Sequence, residues 1–241
     1  MLKVINKSLG SSLAHGLAKQ DGRESHARYK AMDKRLVSAL SRTKTETGAF
    51  NALVKALKDD LRKDMLFGFL SGNKKKQKAM FVHLLGAEDG FCLGTTLITK
   101  FPSLDIEIHG PVLFTKHCVA RLYQTFAVRN MKQFFKQYPD IVFRLWRCGM
   151  QGCESHERTP PPEDYESKLS LWHPQAEFRG FWLSGWIKLT TVISTASMSP
   201  IQSKKGLEKA EQEGRMINPG WEDYLASLKK NSNRSKFFVY R

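Results

Sequence analysis

The sequence predicts an α+β protein, an N-terminal helical hairpin followed by a mainly antiparallel sheet with helices packed on one side. Three observations predict it. Apolar residues recur at helical spacing in the first third of the chain, the middle switches to short β-favouring runs punctuated by turn signals, and the helix and strand patterns do not alternate in the βαβ manner of a parallel sheet. With 41% hydrophobic residues, including 15 Phe and 5 Trp, a chain of 241 residues has the material for one sizeable core. The regions expected are a helical region with a basic arm (1–70), an antiparallel sheet domain with inserted helices at 115–138 (71–200), and a helical tail (201–241).

The elements follow in order. Residues 1–22 are rich in Gly, Ser and Lys with a weak apolar pattern, and read as an arm or a loose first helix. Windows 24–40 and 50–66 carry helical spacing. In the second, Phe50, Leu53, Val54, Leu57 and Leu61 form one stripe, and Thr45 and Thr47 are capping candidates in the break before it. Strands are predicted over 79–85, 91–99 and 105–109, separated by the turn signals "GAEDG" and "FPS". Helices at 115–126 and 130–138 have Thr115 and Asn130 as N-caps. "DIVFRLW" (140–146) reads as a strand, 147–168 as a long polar loop with three prolines, and 176–195 as two strands joined at Ser184 and Gly185. Two short helices, 203–214 and 221–230, close the chain.

Charge narrows the partners. The chain carries 39 Lys and Arg against 23 Asp and Glu, a net +16, and such a surface attracts phosphates. RNA or another nucleic acid is the expected partner. Four cysteines (92, 118, 148, 153) are scattered behind an N-terminus without the apolar run of a secretory leader, which reads as reduced thiols in a cytoplasmic setting. No stretch approaches the roughly 20 apolar residues of a membrane span, so no membrane partner is expected.

The segment "LFTKHCVARLYQTFAVRN" (113–130) holds the candidate chemistry. At about 100° per residue, Cys118, Val119, Leu122, Tyr123 and Phe126 share one arc, while His117, Arg121, Gln124 and Val128 fall opposite. His117 and Arg121 are then neighbours on an outward face. Between Ile108 and Pro139 there is no acidic residue, whereas Lys116, Arg121, Arg129, Lys132 and Lys136 all lie there. A proton acceptor, a planar guanidinium fork for phosphate oxygens and a basic approach are parts of a metal-free phosphodiesterase; the competing reading is an ordinary solvated helix face.

The same stretch, "FTKHCVARLYQTFAVRNMKQFFKQ", resembles the opening helix of a small bacterial domain family of unknown function with the pattern S/T-x-H-A-x-x-R-hydrophobic-x-x-R, grouped with the barnase–EndoU–colicin–RelE superfamily of metal-independent ribonuclease toxins. Thr115, His117, Arg121 and Leu122 match, with 192–195 as a late strand; Cys118 replaces the usual Ala, Thr125 sits near the place of the second Arg, and three predicted strands precede the helix. The resemblance implies one or two helices on a four-stranded antiparallel sheet, attack of a ribose 2′-hydroxyl on its own phosphodiester, His117 as base or acid and Arg121 as anion clamp. It also implies a toxin or phage-defence role and a cognate antitoxin or inhibitor protein. Lys188 and Thr190 are the catalytic candidates on the late strand, where strict alternation places them, with Ser194, on one face. His173 and Thr191 are further candidates for the partner acid.

Phosphate contacts are expected from Lys74, Lys75 and Lys76 in the loop "SGNKKKQK", and from Lys116, Arg129, Lys132, Arg144 and Arg147. Aromatics of the C-terminal half, Trp146, Trp172, Phe178 and Trp182 among them, are core residues or base-stacking platforms. Cys148, Cys153 and His156 have a loose metal-ligand spacing that Cys118 or His173 would complete, but Cys-x4-Cys is not the usual zinc-knuckle pair, and no metal or other cofactor is expected. P-loop, dinucleotide, H-E-x-x-H and G-x-S-x-G signatures are absent. The function expected is a metal-independent endoribonuclease. The alternatives are a non-catalytic basic nucleic-acid-binding protein of a mobile element and a protein-interaction module.

Overall fold

A computed structural model describes residues 10–61, 65–72, 76–87, 90–100, 103–158, 167–183, 185–218, 220–230 and 236–239. The fold is α+β, built on one mostly antiparallel sheet. Its first helix, α1 (Ser11–Ser41), spans 31 residues, about 46 Å at 1.5 Å per residue. The inward positions Ala14, Ala18, Gly22, Ser25, Met32 and Leu36, with Tyr29 packed beside the last two, recur every three or four residues and form one stripe. The stripe is small in its first half and bulky in its second. Small residues let α1 pass close to the backbone it meets, and Met32 and Leu36 then interdigitate with α2 (Glu46–Leu61). Thr45 begins α2, accepting the Gly48 N–H on its side chain at 3.1 Å.

Among the described residues eight strands follow, in the spatial order β5-β6-β7-β4-β3-β2-β1-β8. They are β1 (Met65–Gly72), β2 (Gln77–Ala87), β3 (Gly90–Lys100), β4 (Leu104–Thr115), β5 (Ser167–His173), β6 (Ala176–Leu183), β7 (Trp186–Ser194) and β8 (Lys236–Val239). Every neighbour pair is antiparallel except β4 with β7. Between those two run α3 (Lys116–Phe126), α4 (Met131–Gln137) and α5 (Pro139–Arg158), the crossover a parallel pair requires. After β7 come α6 (Pro200–Gln212) and α7 (Trp221–Lys230). Segment 215–217 lies along the outer edge of β5, where Trp172 donates to the Arg215 carbonyl at 3.0 Å and accepts from the Ile217 N–H at 2.6 Å, so that edge is covered.

Side-chain alternation assigns the two faces. On β2, Val82 and Leu84 join a large core with Leu122, Tyr123, Leu145 and Trp221 of the crossover and tail helices; Ala79 and Phe81 join a smaller one with Met32, Leu36, Phe50 and Leu53. Helices therefore cover both faces, where the sequence suggested one. The first helix belongs to both cores, because it passes around the β2–β3 end of the sheet: a Cβ on Gly86 would lie 2.2 Å from the His26 backbone nitrogen.

Several expectations are corrected. Residues 140–146 are helical: Ile141, Val142, Leu145 and Trp146 are spaced for one face of α5, which the short apolar run concealed. The helix continues through most of the expected loop, and Gly149 lets it close onto β4, a Cβ there meeting the Pro111 carbonyl at 2.6 Å. Residues 65–72 and 167–173 are strands, and the tail contributes β8, which pairs with β1. Residues 11–22, for which an arm or a loose first helix was expected, are the opening turns of α1. The sheet has eight strands where the resemblance implies four.

Candidate nucleic-acid interface

The last residue of β4 starts α3. Thr115 accepts the Cys118 N–H on its hydroxyl at 3.2 Å and donates that hydroxyl to the Thr190 carbonyl of β7 at 3.3 Å, fixing the helix start on the sheet. Cys118, Val119, Leu122, Tyr123 and Phe126 are buried as the helical projection requires. Burial pushes the Cys118 thiol well above the ordinary thiol range. Val128 departs from the projection and is buried, because α3 ends at Ala127 in a left-handed turn (φ 54°) that redirects the chain.

On the outward side His117 is exposed and Arg121 half-buried, its guanidinium donating to the Gln124 side chain at 3.2 Å. The His117 ring faces that of His15 on α1, with centroids 5.6 Å apart. Beyond His15, successive turns of α1 present Lys19, Arg23 and His26 toward Lys116. These three, with Ala18, Gly22, Ala87, Gly90 and Lys116, line a cavity of about 280 Å³ between α1, the start of α3 and the β2–β3 hairpin. His26 holds its place through Nδ1, which is 3.2 Å from the Gly86 carbonyl and donates to it. Sequence reasoning missed His15, Lys19, Arg23 and His26, the first two in the stretch read as an arm or a loose first helix and His26 in a window read as helical; their recurrence every three or four residues was the available signal.

The other predicted site residues disperse. Ile187, Leu189 and Val192 of β7 are buried against α3, because Thr190 is an extra residue in a bulge: Arg179 pairs with Thr191 and Gly180 with Leu189. Strict alternation therefore fails here. Lys188 points from the face of the sheet opposite α3, and the Thr190 hydroxyl donates to the Arg179 carbonyl at 3.3 Å, so neither joins His117. Arg129 and Lys132 line a second cavity of about 460 Å³ with Asp21, Glu24 and Arg28 on the neighbouring side of α1. Arg144 donates to the Gly214 carbonyl at 3.2 Å, and Arg147 is exposed on the same helix near Tyr224. Lys76 is exposed at the start of β2, about 35 Å along that strand from the cavity; Lys74 and Lys75 lie outside the described residues. Trp146, Trp172, Phe178 and Trp221 are buried core residues. Among the described residues no group of three or more His, Cys, Asp or Glu is placed to hold a metal; the side chains of Cys153 and His156 lie outside that description. No described helix is long and apolar enough to cross a membrane.

One carboxylate locks this surface together. Asp21 of α1 accepts the Tyr123 hydroxyl of α3 and, at 2.9 Å, the first N–H of α4. Burial, followed by the charge and hydrogen bond of Asp21, pushes the phenol well above its usual range. Replacing Asp21 with Ala leaves both donors without their partner and is expected to lower stability by about 2–3 kcal/mol, whereas Asn, which keeps an acceptor, should recover most of it. Urea midpoints of the two variants check this.

Compared with protein-family models, curated proteins and solved structures, the chain matches none.

Proposed function

We propose that this protein binds RNA through the surface where α1 crosses the start of α3. The observation that carries the reading is the convergence there of His15, Lys19, Arg23 and His26 from one helix with Lys116 and His117 from another. The net charge of +16 supplies long-range attraction for the same partner. Binding should be salt-sensitive: three neutralised phosphates on a single strand correspond to about a 20-fold loss of affinity between 50 and 200 mM KCl. Fluorescence anisotropy with a labelled RNA measures this, and a salt-independent affinity would reject it.

A second reading, cleavage, is favoured by the His15–His117 pair. Two imidazoles side by side supply the base and acid that phosphodiester transesterification needs. One takes the 2′-hydroxyl proton as the O2′–P bond forms, the other protonates the 5′-oxygen as the P–O5′ bond breaks, and Lys116 and Arg121 border the phosphorane. The products would be a 2′,3′-cyclic phosphate and a 5′-hydroxyl end. Total RNA incubated in EDTA with wild type, His117→Ala and His15→Ala tests it: each variant is expected to cleave at least 100-fold more slowly. Intact RNA with all three proteins leaves the binding reading alone. A toxin or defence role with a cognate inhibitor protein would follow from cleavage.

A further inference from the structure

We infer that the cavity between α1, Lys116 and the β2–β3 hairpin is a phosphomonoester site, holding the terminal phosphate of a nucleotide or of an RNA strand. The inference deepens the RNA reading and rests on it only for the strand-end source.

The geometry argues for an end group. At about 280 Å³ the cavity is far larger than one water and near the lower limit of roughly 300 Å³ for small-ligand pockets. It is bounded on one side where α1 rests on the hairpin: a Cβ on Gly86 would strike the backbone at Ser25 and His26, and one on Gly22 would touch the Gly90 carbonyl at 3.8 Å. A strand end can enter beside that contact without the chain having to continue past it. Among the described residues the lining carries Lys19, Arg23, His26 and Lys116 and no acidic side chain. A monoester bears about −1.5 to −2 charges near neutral pH, against −1 for an internal diester, so Lys19, Arg23 and Lys116 favour the end over the interior of a strand. His26 spends its Nδ1–H on the Gly86 carbonyl, so Nε2 accepts from a protonated phosphate oxygen when the ring is neutral and donates to a phosphate oxygen when the ring is protonated. Arg23 brings a planar fork suited to two phosphate oxygens.

The test uses the full chain and two kinds of probe. Adenosine 5′-monophosphate, adenosine and inorganic phosphate are titrated by calorimetry; the monophosphate is expected to bind and adenosine to give no heat. A decamer RNA with a 5′-phosphate is compared with the same decamer bearing a 5′-hydroxyl; the phosphorylated form is expected to bind at least tenfold more tightly. Lys19→Ala/Arg23→Ala, at exposed helix positions where circular dichroism verifies the fold, is expected to abolish both differences. Monophosphate binding with two equal decamers assigns the site to free nucleotides. Equal decamers with no monophosphate heat overturn the site while leaving RNA binding standing. Failure of both decamers overturns the RNA reading, and the monophosphate titration still decides the cavity.

Discussion

Lowering the pH from 7 to 4 is expected to remove about 3 kcal/mol of stability through a single residue, His83. It sits on β2 with no solvent exposure, and burial pushes its pKa down to about 3. Its Nε2 is 2.8 Å from the Thr96 hydroxyl, and its Nδ1 has no partner. The tautomer with the proton on Nε2 is the less costly one, because it leaves a bare acceptor at Nδ1 instead of a buried N–H. Among the described residues no carboxylate compensates a charge there, burial being the sole cause of its shift. The sign follows from proton counting: below 6.5 the unfolded chain takes up a proton that the folded chain refuses until pH falls to about 3, so stability declines as pH falls through that window. Each unit is worth about 1.36 kcal/mol. His83→Leu removes the titration, loses the Thr96 hydrogen bond at every pH, and should flatten the decline by about 3 kcal/mol in urea midpoints between pH 6.5 and 4. Parallel profiles for wild type and variant would show that His83 is not buried neutral.

The fold class was legible from periodicity, and so were the elements with strong local signals. Thr115 and Asn130 cap the helices they were expected to cap, and the strands of 176–195 meet at the expected turn. What failed did so where local pattern and tertiary context disagree. The apolar residues of 140–146 satisfy a strand as well as one face of a helix, and only the crossover between parallel β4 and β7 decides for the helix. Strand β1 was hidden because "MLFGFL" continues the apolar pattern of the preceding helix. At the candidate interface, His117 was singled out because a helix and a charge asymmetry framed it. His15, Lys19, Arg23 and His26 were hidden by the composition of their helix: Ala14, Ala18, Gly22 and Ser25 give little apolar signal, yet small residues are what a close helix crossing demands. Lys188 and Thr190 were placed on one outward face by an alternation that the bulge at Thr190 breaks.

That crossing carries the second large effect. Gly86→Ala is expected to destabilise the protein by about 3 kcal/mol or more, although it adds only one methyl group. The new Cβ would lie 2.2 Å from the His26 nitrogen, 2.6 Å from the Ser25 carbonyl carbon and 2.8 Å from the His26 Cα. All three are backbone atoms in the middle of a helix, so no side-chain rotation relieves the clash and α1 itself must lift. Lifting α1 separates Ala14 and Ala18 from the core they share with α3, and it carries His15, Lys19 and Arg23 away from His117 and Lys116. RNA affinity should therefore fall together with stability. Gly22, on the opposite side of the same contact, provides the control: its Cβ would meet the Gly90 carbonyl at 3.8 Å and the Phe91 ring at 3.9 Å, ordinary contacts. Gly22→Ala should then raise stability by about 0.5–1 kcal/mol, the helix preference of Ala over Gly. Opposite signs from two Gly→Ala changes across one interface, read as urea midpoints, require α1 to rest on the hairpin; equal and neutral effects would remove that contact and with it the assembled basic surface.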